Sequence, residues 1–242
     1  MNSGETLFEV AACLGQVVER SSKILDFGCG NGSRVKALRT RGYDALGVDI
    51  KFKDGPHTNE LQKQGYIKCI EEDPYRLPFP DAYFDFVFSE QVFEHLKNPD
   101  EVVAELARVM KPGGLGLHRF PARLRPLESH VQVPLSSVFR PSWWMLFWTW
   151  AGFRKSSQKF QPVHEVALKN RGYLDGNTNY LSGREISSLF VRRFSAFGYA
   201  GKCWLNSSPN KRGRSLGRVS NKLPFLAWVY QTFWTRVVYH FK

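Results

Sequence analysis

Four residues near the start of the chain have the types and spacing of a ligand-binding turn: Asp26, Gly28, Gly30 and Gly32. The apolar pair before Asp26 and the helical pattern from Ser33 predict a buried strand, a tight turn and a helix N-terminus. Glycines let a ligand approach the backbone and allow positive φ, and the first N–H groups of the helix are free to donate. We expect Asp26 to project into the crevice where open α/β folds bind ligands.

The spacing of this turn separates it from two other glycine-rich sites. Gly-x-Gly-x-Gly differs from the Gly-x-Gly-x-x-Gly of dinucleotide sites, and no Gly-Lys-Ser/Thr follows to hold phosphates. Asp26 would repel a pyrophosphate, but it suits the cationic amino group of a ligand such as S-adenosylmethionine. Residues 24–32 resemble motif I of the class I S-adenosylmethionine-dependent methyltransferases. The resemblance implies that Asp26, Phe27, Gly28 and Gly30 contact this cofactor.

Further cofactor contacts are expected at the ends of later strands. Asp49 lies about twenty residues past the glycines, where nucleotide-binding α/β folds place an acid that accepts both ribose hydroxyls, and Ile50 is beside it. In the resembling family an Asp four residues before Leu-Pro-Phe binds the adenine amino group, and Asp73 has that position. Ser89 is expected to reach the same crevice through its backbone or hydroxyl, although a plain turn role fits it equally.

The candidates for an acid–base group are histidines. Methyl transfer needs alignment, desolvation and, for an oxygen acceptor, a base. Glu128 and His130 stand at i and i+2, so on an extended stretch the carboxylate shares a face with the imidazole and orients it as general base. His118, on the fifth strand, is the competing candidate, and His164 beside Glu165 is a weaker third option. A structural role is the alternative for either histidine.

A metal site is not expected from the sequence. Residues 91–96 resemble the Leu-Glu-His-Leu segment of the ubiquinone and menaquinone methyltransferases, and Glu94 and His95 are both potential ligands. Adjacent helical positions diverge by roughly 100°, however, so the two side chains should not converge on one ion. The favoured alternative for His95 is packing at a helix end.

The pattern along the chain predicts the elements that position these residues. The expected strands are 24–27, 45–50, 65–70, 81–89, 115–120, 194–203 and 235–241, and the main helices are 33–41, 99–110 and 182–190. Residues 1–20 predict an amphipathic helix. The resemblance covers residues 20–120 and implies an α/β class I methyltransferase fold, a Rossmann-like seven-stranded sheet with helices on both faces, with an aromatic-rich insertion after the fifth strand.

The 242 residues are expected to form a single domain. Within it we predict a cofactor-binding core (20–120), an acceptor-binding insertion (121–181) and a C-terminal part (182–242) in which residues 206–234 form a basic and aromatic insertion. The four cysteines are scattered without a Cys-x-x-Cys pair, so neither a disulfide framework nor a zinc site is expected, and a reducing cytoplasm fits.

Charge is distributed unevenly between the two halves. Residues 1–120 have a net charge of −3, whereas residues 121–242 have a net charge of +15 and contain all seven tryptophans. The apolar runs 141–153 and 223–230 are too short to span a membrane, and their aromatic and basic composition is typical of helices in an anionic membrane interface. Aromatic residues that line an apolar acceptor pocket are the equally weighted alternative.

These observations predict a methyltransferase that uses S-adenosylmethionine. The favoured acceptor is a hydroxyl on a small or lipid-linked molecule, such as a surface-glycan saccharide or a quinone-type precursor, at the cytoplasmic membrane face. A nucleic-acid methyltransferase is an alternative because a basic region with aromatic residues also suits phosphates and bases. The sequence lacks, however, the Asn/Asp-Pro-Pro-Tyr/Phe and Pro-Cys motifs of base methylases. A non-catalytic cofactor-binding module is the third hypothesis.

Overall fold

A computed structural model describes residues 3–242 and contains one seven-stranded sheet in the order β3-β2-β1-β4-β5-β7-β6. The strands are β1 (Lys23–Phe27), β2 (Asp44–Asp49), β3 (Ile67–Cys69), β4 (Phe84–Glu90), β5 (Met110–Pro121), β6 (Ala196–Tyr199) and β7 (Thr235–Phe241). The α-helices are α1 (Ser3–Cys13), α2 (Ser33–Thr40), α3 (Thr58–Lys63), α4 (Pro99–Val109), α5 (Ser142–Trp150), α6 (Val163–Asn177), α7 (Gly183–Val191), α8 (Gly201–Asn206), α9 (Lys211–Lys222) and α10 (Phe225–Phe233), and two 3-10 helices span Phe93–His95 and Ser156–Gln158.

The sheet topology explains where ligands can bind. Strands β1 to β5 pair in parallel, and β7 runs antiparallel to both β5 and β6. The chain order reverses at β1, which pairs with β2 on one side and β4 on the other, so a crevice opens beyond the carboxyl ends of these strands. The predicted seven-stranded class I fold is confirmed.

The central strands carry apolar side chains on both faces of the sheet, because helices cover both faces of a parallel sheet. Leu25 and Val87 belong to one core cluster, which includes side chains of α4 and α7, while Ile24 and Phe86 belong to a second, which includes side chains of α1 and α2. Helices therefore pack on both faces, as expected.

Three predicted elements differ most from their expected bounds. The predicted strand 194–203 ends at Tyr199, because α8 begins at Gly201 and buries Trp204 in the core. Strand β5 begins at Met110, directly after α4 and before the expected start at residue 115. The predicted N-terminal helix ends at Cys13, and Met1 and Asn2 lie outside the described residues.

The structure contains a disulfide that the sequence analysis did not predict. Cys13 at the end of α1 is bonded to Cys203 in α8 across 190 residues of sequence, so the prediction of no disulfide was wrong. The two helices pack against each other, and only this tertiary contact brings the cysteines together. Cys29 is free and buried, and Cys69 is free and exposed. The expectation of a reducing compartment therefore loses its basis in the cysteine pattern.

The aromatic-rich segment after β5 folds onto itself through α5 and α6. Met145 in α5 packs with Leu174 in α6 and with Val131 and Val133 from the preceding loop. The opposite side of α5 exposes apolar side chains with helical i, i+3, i+4, i+7 spacing, namely Trp143, Leu146, Phe147 and Trp150.

Among the described residues, we find no helix with the length and apolar character needed to cross a membrane.

Candidate active site

A cavity of about 950 Å³ and an adjoining recess of about 450 Å³ lie at the carboxyl ends of the parallel strands. Gly28, Lys53 and Glu90 line both of them, so the glycine turn stands between the two spaces. The cavity wall also includes residues of the insertion, such as Tyr173 and Asn177. The core and the insertion thus form one site.

The glycine turn adopts the backbone that its residue types favour. Gly28, Gly30 and Gly32 have φ values of 80°, 59° and 75°, which side chains other than glycine rarely adopt. A Cβ on Gly28 would lie 2.2 Å from Cγ2 of Val92. The N–H groups of Gly28 and Cys29 donate to the carbonyl of Val48 on β2, at 2.8 and 3.0 Å, which fixes the turn to the neighbouring strand.

Asp26 lies beside the recess as an almost unpaired carboxylate. Its side chain is 2% exposed, and its Oδ1 atom is buried without a hydrogen-bond partner within the described residues. Burial raises the pKa of Asp26 to about 7, against the opposing effect of the Arg34 guanidinium, whose Nη1 lies 3.8 Å from Oδ1. Arg34 is hydrogen-bonded to Glu90. A cation that enters the recess would therefore meet a carboxylate oxygen with capacity to accept.

Asp49 lies on the wall of the larger cavity, together with Phe27 and Ile50. Its Oδ2 accepts from the N–H of Gly30 at 2.7 Å, and its Oδ1 accepts from the N–H of Lys51 at 3.2 Å. The carboxylate therefore ties the glycine turn to the end of β2. The remaining lone pairs of both oxygens are available to a diol.

Two predicted cofactor residues lie elsewhere. Asp73 is exposed, and the wall near the predicted adenine position includes Glu72 and Tyr75 instead. Ser89 is buried, and its hydroxyl lies 2.8 Å from Nδ1 of His118. The Asp73 side chain is thus in solvent, and the alternation of β4 directs the Ser89 hydroxyl into the sheet packing, which leaves only the backbone of Ser89 for the predicted cofactor contact.

His118 is enclosed in the protein interior. Its ring is fully buried, its Nε2 lies 2.9 Å from Nε2 of His240 on β7, and the ring centroid of Phe93 is 4.6 Å away. Burial lowers the pKa of His118 to about 3, so the ring is neutral. The structure gives His118 a packing position without access to an acceptor, which argues against the predicted role as base.

Glu128 and His130 form the contact that their spacing predicts. Oε1 of Glu128 lies 2.8 Å from Nδ1 of His130, and Oε2 accepts from the backbone N–H groups of His130 and Val131. The hydroxyl of Tyr180 also donates to Glu128. Burial alone would raise the pKa of Glu128, but the hydrogen bonds from His130, Tyr180 and Val131 outweigh it and leave the pKa below its usual value. An ionised carboxylate thus holds Nδ1 of His130.

The ring of His130 is partly exposed and packs against two residues of the cavity wall. Its centroid is 4.8 Å from the ring of His95 and 5.8 Å from the ring of Tyr173, and both of these residues line the cavity. With Nδ1 bound to Glu128, Nε2 is the ring nitrogen that can accept a proton or bind a cation.

Glu94 and His95 converge, contrary to the sequence prediction. Oε1 of Glu94 lies 3.9 Å from Nε2 of His95, and donor atoms of Glu94, His95 and His130 lie within 4.8 Å of one another. The residues form a short 3-10 turn, and a hydrogen bond from Nδ1 of His95 to the carbonyl of Asn177 orients the ring. Burial raises the pKa of Glu94 to about 7. No sequence motif pointed to three further residues of this site. The carbonyl of Asn177 orients His95, Tyr173 packs against His130, and Tyr180 donates to Glu128.

Comparisons with known proteins agree with this architecture. Residues 25–117 match the family model described as a methyltransferase domain. The chain is 35% identical over 98 residues to ubiquinone biosynthesis O-methyltransferase of Dechloromonas aromatica, covering 38% of this chain and 41% of that protein. It is 24% identical over 188 residues to 27-O-demethylrifamycin SV methyltransferase of Amycolatopsis mediterranei, covering 61% and 65%. The alignments span less than two thirds of the length of these relatives.

The fold is similar to that of solved structures over nearly the whole chain. An S-adenosylmethionine dependent methyltransferase from Mesorhizobium loti matches with a TM-score of 0.53 and 13% identity, covering 96% of both chains. At this identity the likeness establishes the fold, including the strands outside residues 25–117.

Proposed function

The chain belongs to the class I S-adenosylmethionine-dependent methyltransferases, and we propose that it methylates a hydroxyl group of a small or lipid-linked acceptor. Bound S-adenosylmethionine would supply an electrophilic methyl group on a sulfonium. The residues of the chain would bind and orient the two reactants, exclude water and accept the proton of the hydroxyl.

Three features of the site fit the cofactor. Oδ1 of Asp26, which accepts no hydrogen bond within the described residues, suits an ammonium group. Gly28 and Gly30 line the recess with backbone alone, and Asp49 presents a carboxylate to a ribose diol. We infer that Phe27 and Ile50 contact the cofactor from the cavity wall, while Asp73 and the hydroxyl of Ser89 do not. Residues 20–120 would thus hold the cofactor, and residues 121–181 would hold the acceptor.

The hydrogen bond between Glu128 and His130 supports the proposed base. The proton on Nδ1 of His130 points to an ionised carboxylate, which fixes the tautomer with a free lone pair on Nε2. Nε2 would accept the proton of the acceptor hydroxyl, and Glu128 would stabilise the resulting imidazolium. Glu128 is a positioning residue, because it acts through His130.

The exposed aromatic stripe of α5 supports an acceptor at a lipid surface. Trp143 is 62% exposed and Trp150 is 71% exposed, and they lie on the same side of a helix whose opposite side packs on the insertion core. The basic helix α9 and the exposed Trp228 of α10 give the C-terminal part a similar composition. We propose that these helices lie in an anionic membrane interface, with aromatic rings in the acyl boundary and Lys and Arg at the head groups.

The base is tested by turnover after the acceptor has been found. Lipid and glycan extracts of cells that produce the protein and of cells that lack it would be compared by mass spectrometry. The acceptor is the molecule whose mass increases by one methyl group only when the protein is present. With that acceptor, His130→Ala should lower kcat by roughly 10²-fold or more and leave the dissociation constant of S-adenosylmethionine nearly unchanged. His164→Ala is the matched control, because His164 is exposed on α6. An unchanged kcat in His130→Ala would contradict the proposed base.

A further inference from the structure

We propose that Glu94, His95 and His130 form a binding site for a divalent zinc ion where the insertion meets the core. The inference goes beyond the proposed methyl transfer and does not depend on it, since binding of the ion can be measured without cofactor or acceptor.

The donor set has the composition of a zinc site. Two imidazoles and one carboxylate are the protein ligands of many catalytic zinc sites, which leave a fourth position open. The three donor atoms lie within 4.8 Å of one another. Ligands that bind one zinc ion tetrahedrally at about 2.1 Å are about 3.4 Å apart, so the widest separation must close by roughly 1.4 Å. The proposal therefore requires small side-chain rotations when the ion binds.

Glu94 is the second observation that points to a cation. The side chain is 1% exposed, and both carboxylate oxygens are buried without a hydrogen-bond partner within the described residues. A buried carboxylate without hydrogen bonds is costly, and native proteins pair such groups closely with another charge or with a metal. A zinc ion at this position would provide the missing partner.

The two histidines are oriented as metal ligands usually are. A ligating histidine almost always donates its other ring N–H to a carboxylate or a backbone carbonyl, which fixes the ring and its tautomer. His95 donates from Nδ1 to the carbonyl of Asn177 at 2.6 Å, and His130 donates from Nδ1 to Glu128 at 2.8 Å. Both rings therefore have Nε2 as the nitrogen available to a cation.

The position of the site links it to the cavity. His95 lies on the cavity wall, so the open coordination position would be accessible to a ligand in the cavity. Zinc and a proton compete for Nε2 of His130, so the metal-bound protein would use the ion, and not the imidazole, to polarise an acceptor oxygen.

The test is direct metal binding by the full chain after treatment with a chelator. Zinc would be titrated against a chromophoric chelator, and cobalt would be added separately because its visible spectrum reports the ligands. We expect one high-affinity equivalent, with cobalt bands of a site with nitrogen and oxygen ligands and no thiolate charge-transfer band. Glu94→Gln, His95→Gln and His130→Gln should each weaken zinc binding by at least tenfold, and Glu128→Gln should weaken it roughly 10-fold to 100-fold.

Two exposed residues provide matched controls. His57→Gln and Cys69→Ser should leave the affinity unchanged, because His57 is on the surface and Cys69 is an exposed thiol away from the site. Addition of zinc should raise the Tm of the wild type and leave the Tm of Glu94→Gln unchanged. This measurement requires only that both proteins unfold in a cooperative transition. The proposal is overturned if the wild type binds no stoichiometric zinc, if the cobalt spectrum shows thiolate ligation, or if binding is lost in a control but retained in the three ligand variants.

Discussion

Asp26 should reduce the stability of the cofactor-free protein at high pH, and Asp26→Asn should remove this effect. Its carboxyl is buried, and the pKa rises from 3.8 to about 7 on folding. A group with a raised pKa in the folded state contributes stability that is fully present below the lower value and is lost as the pH rises through the higher one. As the pH rises from 3.8 to about 7, the free energy of unfolding of the wild type should therefore fall relative to that of the variant.

The size of the effect follows from the shift. A shift of one pKa unit corresponds to about 1.36 kcal/mol. The raised pKa of Asp26 therefore lowers the free energy of unfolding by about 4 kcal/mol at roughly pH 8.5 and by about 1.5 kcal/mol at roughly pH 5. The difference in unfolding free energy between wild type and Asp26→Asn should therefore change by about 3 kcal/mol between these conditions. The cost of burying an Asn in the variant is the same at both pH values, so it cancels when the two differences are compared.

Urea denaturation of the cofactor-free protein at the two pH values measures this quantity. Asp44→Asn is the matched control, since Asp44 begins the neighbouring strand β2 with a half-exposed side chain. The same Asp26→Asn variant should bind S-adenosylmethionine at least tenfold more weakly, because it loses the carboxylate proposed for the ammonium group. Parallel pH dependence of wild type and variant would refute the burial argument, whatever the binding result.

Three further predictions concern the proposed function. Asp49→Ala should weaken S-adenosylmethionine binding by about 1.5–3 kcal/mol in calorimetry, because the ribose hydroxyls lose a charged acceptor; an unchanged dissociation constant would remove Asp49 from the cofactor site. Gly28→Ala should abolish cofactor binding, since the new Cβ would clash with Val92 and displace the turn, and a variant that binds normally would show that binding does not need the turn in this conformation. The protein should sediment with anionic liposomes and lose only part of this binding at high salt, since each basic residue near the surface is worth about 1 kcal/mol. Trp143→Ser with Trp150→Ser should release it, whereas Val191→Ser on α7 should not; oligonucleotide binding without liposome association would favour the nucleic-acid alternative.

The parts of the site that were predictable are those fixed by local sequence. Asp26, Gly28 and Asp49 follow buried parallel strands, and the carboxyl ends of such strands meet at one edge of the sheet, so their positions followed from strand periodicity. The contact between Glu128 and His130 was also predictable, because the two residues are separated by only one position.

The unpredictable parts depend on contacts between distant segments. The placement of Asp73 depends on the path of an irregular loop, and that of Ser89 on which face of β4 meets His118. The approach of His130 to Glu94 and His95 requires the insertion to fold back onto the core. No periodicity in the sequence records this contact, and the same is true of the bond between Cys13 and Cys203.

The position of β7 determines when the sheet can be completed. Strand β6 pairs only with β7 among the described strands, yet it precedes β7 in the chain by α8, α9 and α10. During synthesis from the N-terminus, β1 to β5 can pair as soon as they emerge, whereas β6 must wait for a partner that is made later. Until then the outer edge of β5 remains open, and His118 lacks His240, the residue that packs over Gly116. The C-terminal strand therefore closes both the sheet and the buried histidine pair in a single late step.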